Sequence, residues 1–373
     1  LWRPGNIFSH EGGLLLKNKN KNKKKENRKY KRKMRLGYAC LNTALREKGI
    51  FCSRTARSET IREKKIGYAE ELFDKNLDDL MVILEYNEKH GIRFYRLSSE
   101  MMPHLSNPEF IPKSQRDNPK GLFYDIRKYK KKLRAIGEYA ISNGHRLTFH
   151  PGQFVVVGTP DQKVFNNSAR ELYAHAHVLD LMGLDYNSVM IVHGGGIYCD
   201  KPKTILRWAE NFDKLPIEVK RRLVLENDEY CYSTDDVLQI SQSLPKFPGC
   251  GKRFRIPIVF DMFHYDCMNR VIKQRNSVDC SNCKIPKQRT IPELLPAIIE
   301  SWSGRTVKMH ISEQGRGPLG KHAYYVSHIP QWVLTLSKKI KIDLMVEAKG
   351  KELAVKRLIK LHFASDASRP RCL

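Results

Sequence analysis

Apolar residues in this chain fall into short continuous runs, separated by longer stretches where they recur at every third or fourth position. The runs cover 35–40, 92–97, 146–150, 189–193, 222–226, 256–261, 306–310 and 342–347. Runs this short and this uniformly apolar predict strands buried on both faces. Between them, Leu77, Leu80, Met81 and Leu84 share one helical face, and Leu172, His175, Ala176 and Leu179 share another. Alternating β and α units predict a parallel sheet covered by helices. Eight units predict an α/β protein of the closed (β/α)8 kind, a TIM barrel, in preference to an open sheet. No G-x-G-x-x-G follows any run, which argues against a dinucleotide-binding sheet.

The polar residues that close the runs carry the chemistry. Six runs end in a metal-ligand type: His150, His193, Glu226, Asp261, His310 and Glu347, spaced about 30–50 residues apart. In a (β/α)8 barrel, functional groups sit at the C-terminal strand ends, so these six converge on one face. Imidazoles mixed with carboxylates, and no thiolate, suit divalent Zn, Mn, Fe or Co in a reactive site rather than structural zinc. His264 and His322 enlarge the inventory, and Lys308 lies two residues before His310. That is more than one tetrahedral ion needs. Two or three clustered ions are implied, the arrangement that activates water and neutralises both oxygens in phosphodiester cleavage. Singly, each residue has an ordinary reading: Glu226 or Asp261 as a helix N-cap, Lys308 as a paired strand lysine. Chance alignment of all of them is the weaker explanation. His175 and His177 fall on a predicted helix and read as structural or surface residues.

Charge then narrows the substrate. The net charge is +27, of which residues 1–33 hold +10 and the rest of the chain +17. A polyanion, nucleic acid first, fits a body this basic without recourse to the tail, and a small neutral sugar does not. Residues 17–33 are low-complexity and aperiodic, so residues 1–33 read as a disordered basic tail on a barrel domain of 34–373. Met34 directly precedes the first run, so a start there would give the barrel without the tail. An apolar content of 41% allows a large core, and no run approaches the roughly 18–20 residues of a membrane span. The expected partner is DNA and not a membrane, and the expected form is a monomer. The nine cysteines are scattered and odd in number, which fits a reducing intracellular compartment, nuclear in a eukaryote and cytoplasmic otherwise. Cys280 and Cys283 have half a zinc-knuckle spacing, with Cys250 and Cys267 upstream but no second CxxC. The polar stretch 266–290 reads as an inserted loop bordering the active face.

The segments bearing these residues resemble the UV damage endonuclease family, the UvdE-type repair nucleases. The resemblance is carried by Arg35-Leu-Gly-Tyr-Ala-Cys40, Tyr95-Arg-Leu-Ser-Ser99, Phe149-His-Pro-Gly-Gln-Phe154, Val192-His-Gly-Gly-Gly196 and Leu225-Glu-Asn-Asp-Glu229. It continues through Val259-Phe-Asp-Met-Phe-His264, Val307-Lys-Met-His310, Lys321-His-Ala-Tyr324 and Val346-Glu-Ala-Lys-Gly-Lys-Glu352. It implies a TIM-barrel endonuclease that nicks duplex DNA immediately 5′ to cyclobutane dimers and 6-4 photoproducts, leaving a 3′-hydroxyl and a 5′-phosphate. It implies a three-ion site, usually of Mn²⁺, with Mg²⁺, Co²⁺ or Zn²⁺ as alternatives. Its ligands would be His150, His193, Glu226, Asp261, His264, His310, His322 and Glu347, with Lys308 as a bridge if carboxylated. Glu226, Lys308 and Glu347 would be the catalytic members. Tyr38, Asn42, Gln153 and Phe154 match positions that reach into the damaged duplex: a flipped base on Tyr38, and Gln153 and Phe154 filling the vacated stack. Two departures stand out. Phe154 replaces the tyrosine of some members, keeping the ring and losing the hydroxyl, and Tyr265 stands where some have a second histidine. The nearest rival is an abasic-site endonuclease of the endonuclease IV type. A non-catalytic damage-binding protein is a further alternative, though it would have no use for eight metal-ligand types at strand ends.

Overall fold

The computed structural model describes residues 34–277 and 286–363. Eight parallel strands close on themselves in sequence order. They are β1 (Met34–Ala39), β2 (Phe94–Leu97), β3 (Arg146–Phe149), β4 (Met190–His193), β5 (Leu223–Glu226), β6 (Ile258–Asp261), β7 (Val307–Ile311) and β8 (Ile342–Val346). Each lies within one or two residues of its predicted run. Around them run α1 (Ser58–Lys89), α2 (Lys130–Ser142), α3 (Gln162–Leu181), α4 (Lys201–Asp213), α5 (Thr234–Ser243), α6 (Met262–Asn276), α7 (Ile291–Ser301), α8 (Gln331–Lys339) and α9 (Lys351–Phe363). The chain is a TIM barrel.

Helix starts follow the local chemistry of the βα loops. Asp161 caps α3 through the amides of Lys163 and Val164, Asp200 caps α4 just before Pro202, and Ser233 and Asp236 form a capping box on α5. On α1, Leu77, Leu80 and Leu84 are buried, and on α3 so are Leu172, His175, Ala176 and Leu179. His175 is structural, its Nδ1 2.7 Å from the Glu171 carbonyl and its ring edge-on to Phe149.

Polar residues plug the end of the barrel where the strands begin. Asp343 on β8 accepts from Arg35 Nε and Nη2 on β1, both at 2.7 Å, and from Arg146 Nη1 on β3 at 2.9 Å. Arg146 is buried and also donates to the Asn187 and Thr306 carbonyls. Burial opposes the charge on Asp343, but Arg35 and Arg146 hold its carboxyl below the usual range. The next level up is apolar, where Phe94 packs against Ala39 and Met345. Gly37 makes room for that ring, since a Cβ there would lie 2.7 Å from Phe94 ring carbons.

One expectation is corrected. Residues 266–276 are not loop but the body of α6, whose apolar face buries Cys267, Met268, Val271 and Ile272. Polar residues on the solvent side of that helix masked its period. The tail 1–33, Cys280, Cys283 and residues 364–373 lie outside the described residues. Among the described residues no helix is long and apolar enough to cross a membrane.

Asp343 is the testable element of this frame. Asp343→Asn leaves Arg146 buried without its counter-charge and is expected to lower unfolding free energy by about 3–5 kcal/mol. Urea denaturation followed by circular dichroism reads this, and a loss under about 1 kcal/mol contradicts the role given to the ion triad.

Candidate metal centre

The residues that close the strands meet at the opposite end of the barrel. Parallel register places His193 beside Glu226 and Asp261 beside His310. Glu226, almost fully buried, is the hub. Its Oε2 lies 3.2 Å from His150 Nε2 and 3.9 Å from His193 Nε2, and its Oε1 lies 2.6 Å from His310 Nδ1 and 3.8 Å from His264 Nδ1. Two three-ligand groups share it: His150, His193 and Glu226, and Glu226, Asp261 and His310. In each, one donor atom per residue lies within 4.8 Å of the others. A carboxylate shared in this way could serve two cations.

Asp261 is an N-cap that also belongs to one of the two ligand groups. Its Oδ1 accepts from the Phe263 and His264 amides at 2.7 and 2.8 Å, starting α6, while its buried Oδ2 has no hydrogen-bond partner. A cap needs one oxygen; the second is left for the cluster. An orphaned buried carboxylate oxygen is costly, and a bound cation satisfies it. His193 Nδ1 is likewise buried without a partner. These orphans, with the mixed N/O donor set, fit divalent metal.

Glu347, which follows β8, lies 3.2 Å from His310 Nδ1 and contacts Arg96 Nη1. His322 arrives on the loop after β7, its Nδ1 2.7 Å from the Glu347 carbonyl and its ring edge-on to Phe263. His264, Lys308, His322 and Glu347 thus adjoin the two groups without belonging to either.

Electrostatics support the same reading. Burial opposes the charge on Glu226, yet His310 and His193 hold it well below the ordinary carboxylate range. Glu347 is held down similarly, against burial, by Arg96 and His310. Burial pushes His310 down to about 4, so its ring is neutral at neutral pH. Burial pushes Asp261 up to about 7, and the charges of Glu226 and Glu347 add to this against the pull of His264. Burial disfavours a charged His264, but Asp261 and Glu226 raise it to about 10. Three carboxylates compete for too little positive charge, a deficit that divalent ions would fill. Burial brings the Lys308 amine down to about 7. It touches His310 Nε2 and lies over the Phe94 ring.

The four positions expected to read the lesion separate into two pairs. Gln153 and Phe154 occupy the tip of a turn closed by the Val155 amide on the Gly152 carbonyl at 3.0 Å, with Val155 buried beneath. Gln153 is exposed and Phe154 is 80% exposed, which rules out core packing for that ring. Tyr38 and Asn42 are corrected. Both are fully buried: the Tyr38 hydroxyl donates to Asn87 Oδ1 at 2.7 Å, and Asn42 Nδ2 donates to the Tyr38 oxygen at 2.9 Å. Asn42 Oδ1 also caps the helical turn Thr43–Arg46. Their polar groups are used by the fold, and no face of Tyr38 is open to a flipped base.

Two residues of the site were not foreseen. Arg96, on β2, is the guanidinium that holds Glu347, and a charged residue inside the apolar run Phe94–Leu97 was its signal. Asn227 is fully buried, exchanges hydrogen bonds with the Asp261 backbone at 2.9 and 3.0 Å, and presents its carbonyl 3.0 Å from His264 Nδ1. It fixes the ends of β5 and β6 relative to each other. Nothing in a lone asparagine foretells that.

Residues 34–369 match the family described as UV-endonuclease UvdE. The chain belongs to that family. A protein of Acanthamoeba polyphaga mimivirus is 39% identical over 338 residues, covering 88% of this chain and 91% of that one. The UV DNA damage endonuclease of Bacillus cereus strain Q1 is 32% identical, over 87% of this chain and 93% of its own. The UV-damage endonuclease of Schizosaccharomyces pombe is 33% identical over 87% of this chain, which spans half of that protein's length. The crystal structure of SacUVDE superposes with a TM-score of 0.69 at 28% identity, covering 88% of this chain and 97% of that one. This UvdE-family chain is an endonuclease, a DNA-hydrolysing repair enzyme, and its buried His, Glu and Asp groups can hold metal.

Glu226 belongs to both ligand groups, so Glu226→Gln is expected to lower bound metal by about tenfold or more in a folded protein. Elemental analysis after dialysis against Mn²⁺ measures it, and unchanged stoichiometry contradicts the bridging role.

Proposed function

We propose that this endonuclease nicks duplex DNA immediately 5′ to UV photoproducts, cyclobutane dimers and 6-4 photoproducts, leaving a 3′-hydroxyl and a 5′-phosphate. The observation that carries the reading is the pair of ligand groups joined through Glu226, with Phe154 exposed at a turn on the same face of the barrel. Divalent ions, most simply three Mn²⁺, would supply Lewis acidity to the phosphate and acidify water there. His150, His193, Glu226, Asp261, His264, His310, His322 and Glu347 would hold them. Glu226 and Glu347 keep their negative charge in a buried setting, and Arg96 orients Glu347. A neutral amine is what carbamate formation requires, so the lowered Lys308 supports carboxylation as its bridging form.

Recognition rests on the turn after β3. A photoproduct weakens stacking and pairing, so extruding its nucleotides costs less than the few kcal/mol of an intact step. Phe154 fills the vacated stack with its ring, and the Gln153 amide meets the polar edge of the opposite base. The basic body supplies affinity that is independent of sequence and sensitive to salt. The enzyme acts as a monomer inside the cell, in the nucleus if the source is eukaryotic. An abasic-site endonuclease of the endonuclease IV type is the rival, since it too would use clustered ions.

Duplexes carrying one thymine dimer, one abasic site or no lesion separate the two when incubated with protein and Mn²⁺. A nick 5′ to the dimer is expected. Abasic cleavage with an intact dimer strand rejects the photoproduct assignment. Glu226→Gln is expected to abolish nicking while leaving dimer binding largely in place. Phe154→Ala is expected to weaken dimer binding by about tenfold or more, a base–aromatic stack being worth roughly 1–3 kcal/mol. Phe154→Tyr should restore it in the same gel-shift assay.

A further inference from the structure

The end of the barrel opposite the metal centre carries a second concave site. A cleft of about 360 Å³ is lined by Tyr186, Lys220, Arg221, Phe247, Arg255 and Arg305, with no acidic residue in its wall. Tyr186 precedes β4, Arg221 precedes β5, Phe247 and Arg255 precede β6, and Arg305 precedes β7. All sit where strands begin, so the cleft shares no residue with the centre built where strands end.

Its cations are short of partners. Lys220 meets Asp213 at 3.3 Å. Among the described residues, Arg221, Arg255 and Arg305 have no ion pair with a carboxylate. They spend their guanidiniums on neutral oxygens: Arg221 on the Tyr186 hydroxyl at 3.2 Å, Arg305 on the Tyr186 carbonyl at 3.1 Å, and Arg255 on the Gly251 and Lys252 carbonyls. Arg255 Nε is buried with no acceptor at all. Burial and the nearby Arg146 bring Arg305 down to about 10, and Asp185 offsets this only in part. Half-buried guanidiniums gathered in one cleft repel one another unless an anion lies between them, and their fork geometry suits phosphate.

The remaining walls narrow the ligand further. Tyr186 is 44% exposed, with the Arg221 and Arg222 guanidiniums over its ring at 5.7 and 5.1 Å, and the Phe247 ring completes an aromatic wall. The volume lies near the lower end of small-ligand pockets, roughly 300–1,000 Å³. It admits a mononucleotide and excludes a duplex.

We infer that this cleft binds a nucleoside monophosphate, its phosphate on Arg221, Arg255 and Arg305 and its base against Tyr186 and Phe247. The inference does not depend on the photoproduct reading of the other face. Isothermal titration of the full, metal-loaded protein with adenosine 5′-monophosphate, adenosine and inorganic phosphate tests it. One-to-one binding of the monophosphate is expected, tighter than inorganic phosphate, with adenosine giving no measurable heat. Arg255→Gln and Arg305→Gln should each weaken it by about tenfold or more, the value of a charge-assisted hydrogen bond. Tyr186→Ala should weaken the monophosphate but not inorganic phosphate. Nicking and melting temperature should stay unchanged in Arg255→Gln and Tyr186→Ala, so a misfolded Arg305→Gln would leave the test intact. Glu226→Gln should retain the site, and loss of binding there would assign the nucleotide to the metal centre and overturn the inference. So would absence of heat in the unmodified protein, indifference to Arg255→Gln, or equal affinity for inorganic phosphate.

Discussion

Three carboxylates drawn into one buried space make the constraint on which the metal end of the barrel depends. Glu226, Asp261 and Glu347 lie at the ends of three strands, with imidazoles packed against them. Such a cluster survives only if positive charge is supplied. The protein supplies part of it through Arg96 and His264, and leaves Asp261 Oδ2 without a hydrogen bond. The shortfall fits divalent cations. It also explains why the neighbours are arranged to hold rather than to neutralise: Asn227 ties β5 to β6, and the cap on α6 spends only one oxygen of Asp261.

The two ends of the barrel solve opposite electrostatic problems. Where the strands begin, Asp343 is matched by Arg35 and Arg146 in a closed triad, a finished structural device. Around it the αβ loops gather Arg221, Arg255 and Arg305, which make no ion pair with a carboxylate among the described residues. Where the strands end, carboxylates are in excess and cations are wanting. Each end is therefore poised for a ligand of opposite sign, and the apolar level of Ala39, Phe94 and Met345 lies between them.

Recognition follows from how tightly each loop is anchored. The turn from Gly152 to Val155 is pinned by the buried Val155, by its own closing hydrogen bond and by the Gly152 amide on Glu171, all backbone or end contacts that leave its two central side chains free. Tyr38 lies in β1 and Asn42 just beyond it, and their polar groups are consumed by Asn87 and by the helical turn that Asn42 caps. A rigid strand end and an exposed turn tip are the usual division between holding chemistry and reaching a substrate.

Much of this was legible in the chain itself. The apolar runs have the length and uniformity of strands buried on both faces, and eight of them in alternation with helical periods determine a barrel. The residue type at each run's end determined which groups meet at the candidate metal centre, because a strand's direction places its last residue on the catalytic face. What the chain could not tell was burial and partnership across long separations. Arg96 finds Glu347 from 251 positions away, and Asn227 finds Asp261 from 34. Asn87 closes over Tyr38 from a helix that no local pattern aims at it. Residues 266–276 read as loop because α6 buries only one stripe of an otherwise polar segment. Periodicity is a local property and was readable; which polar group meets which is fixed only when the strands close, and the tertiary structure alone decided it.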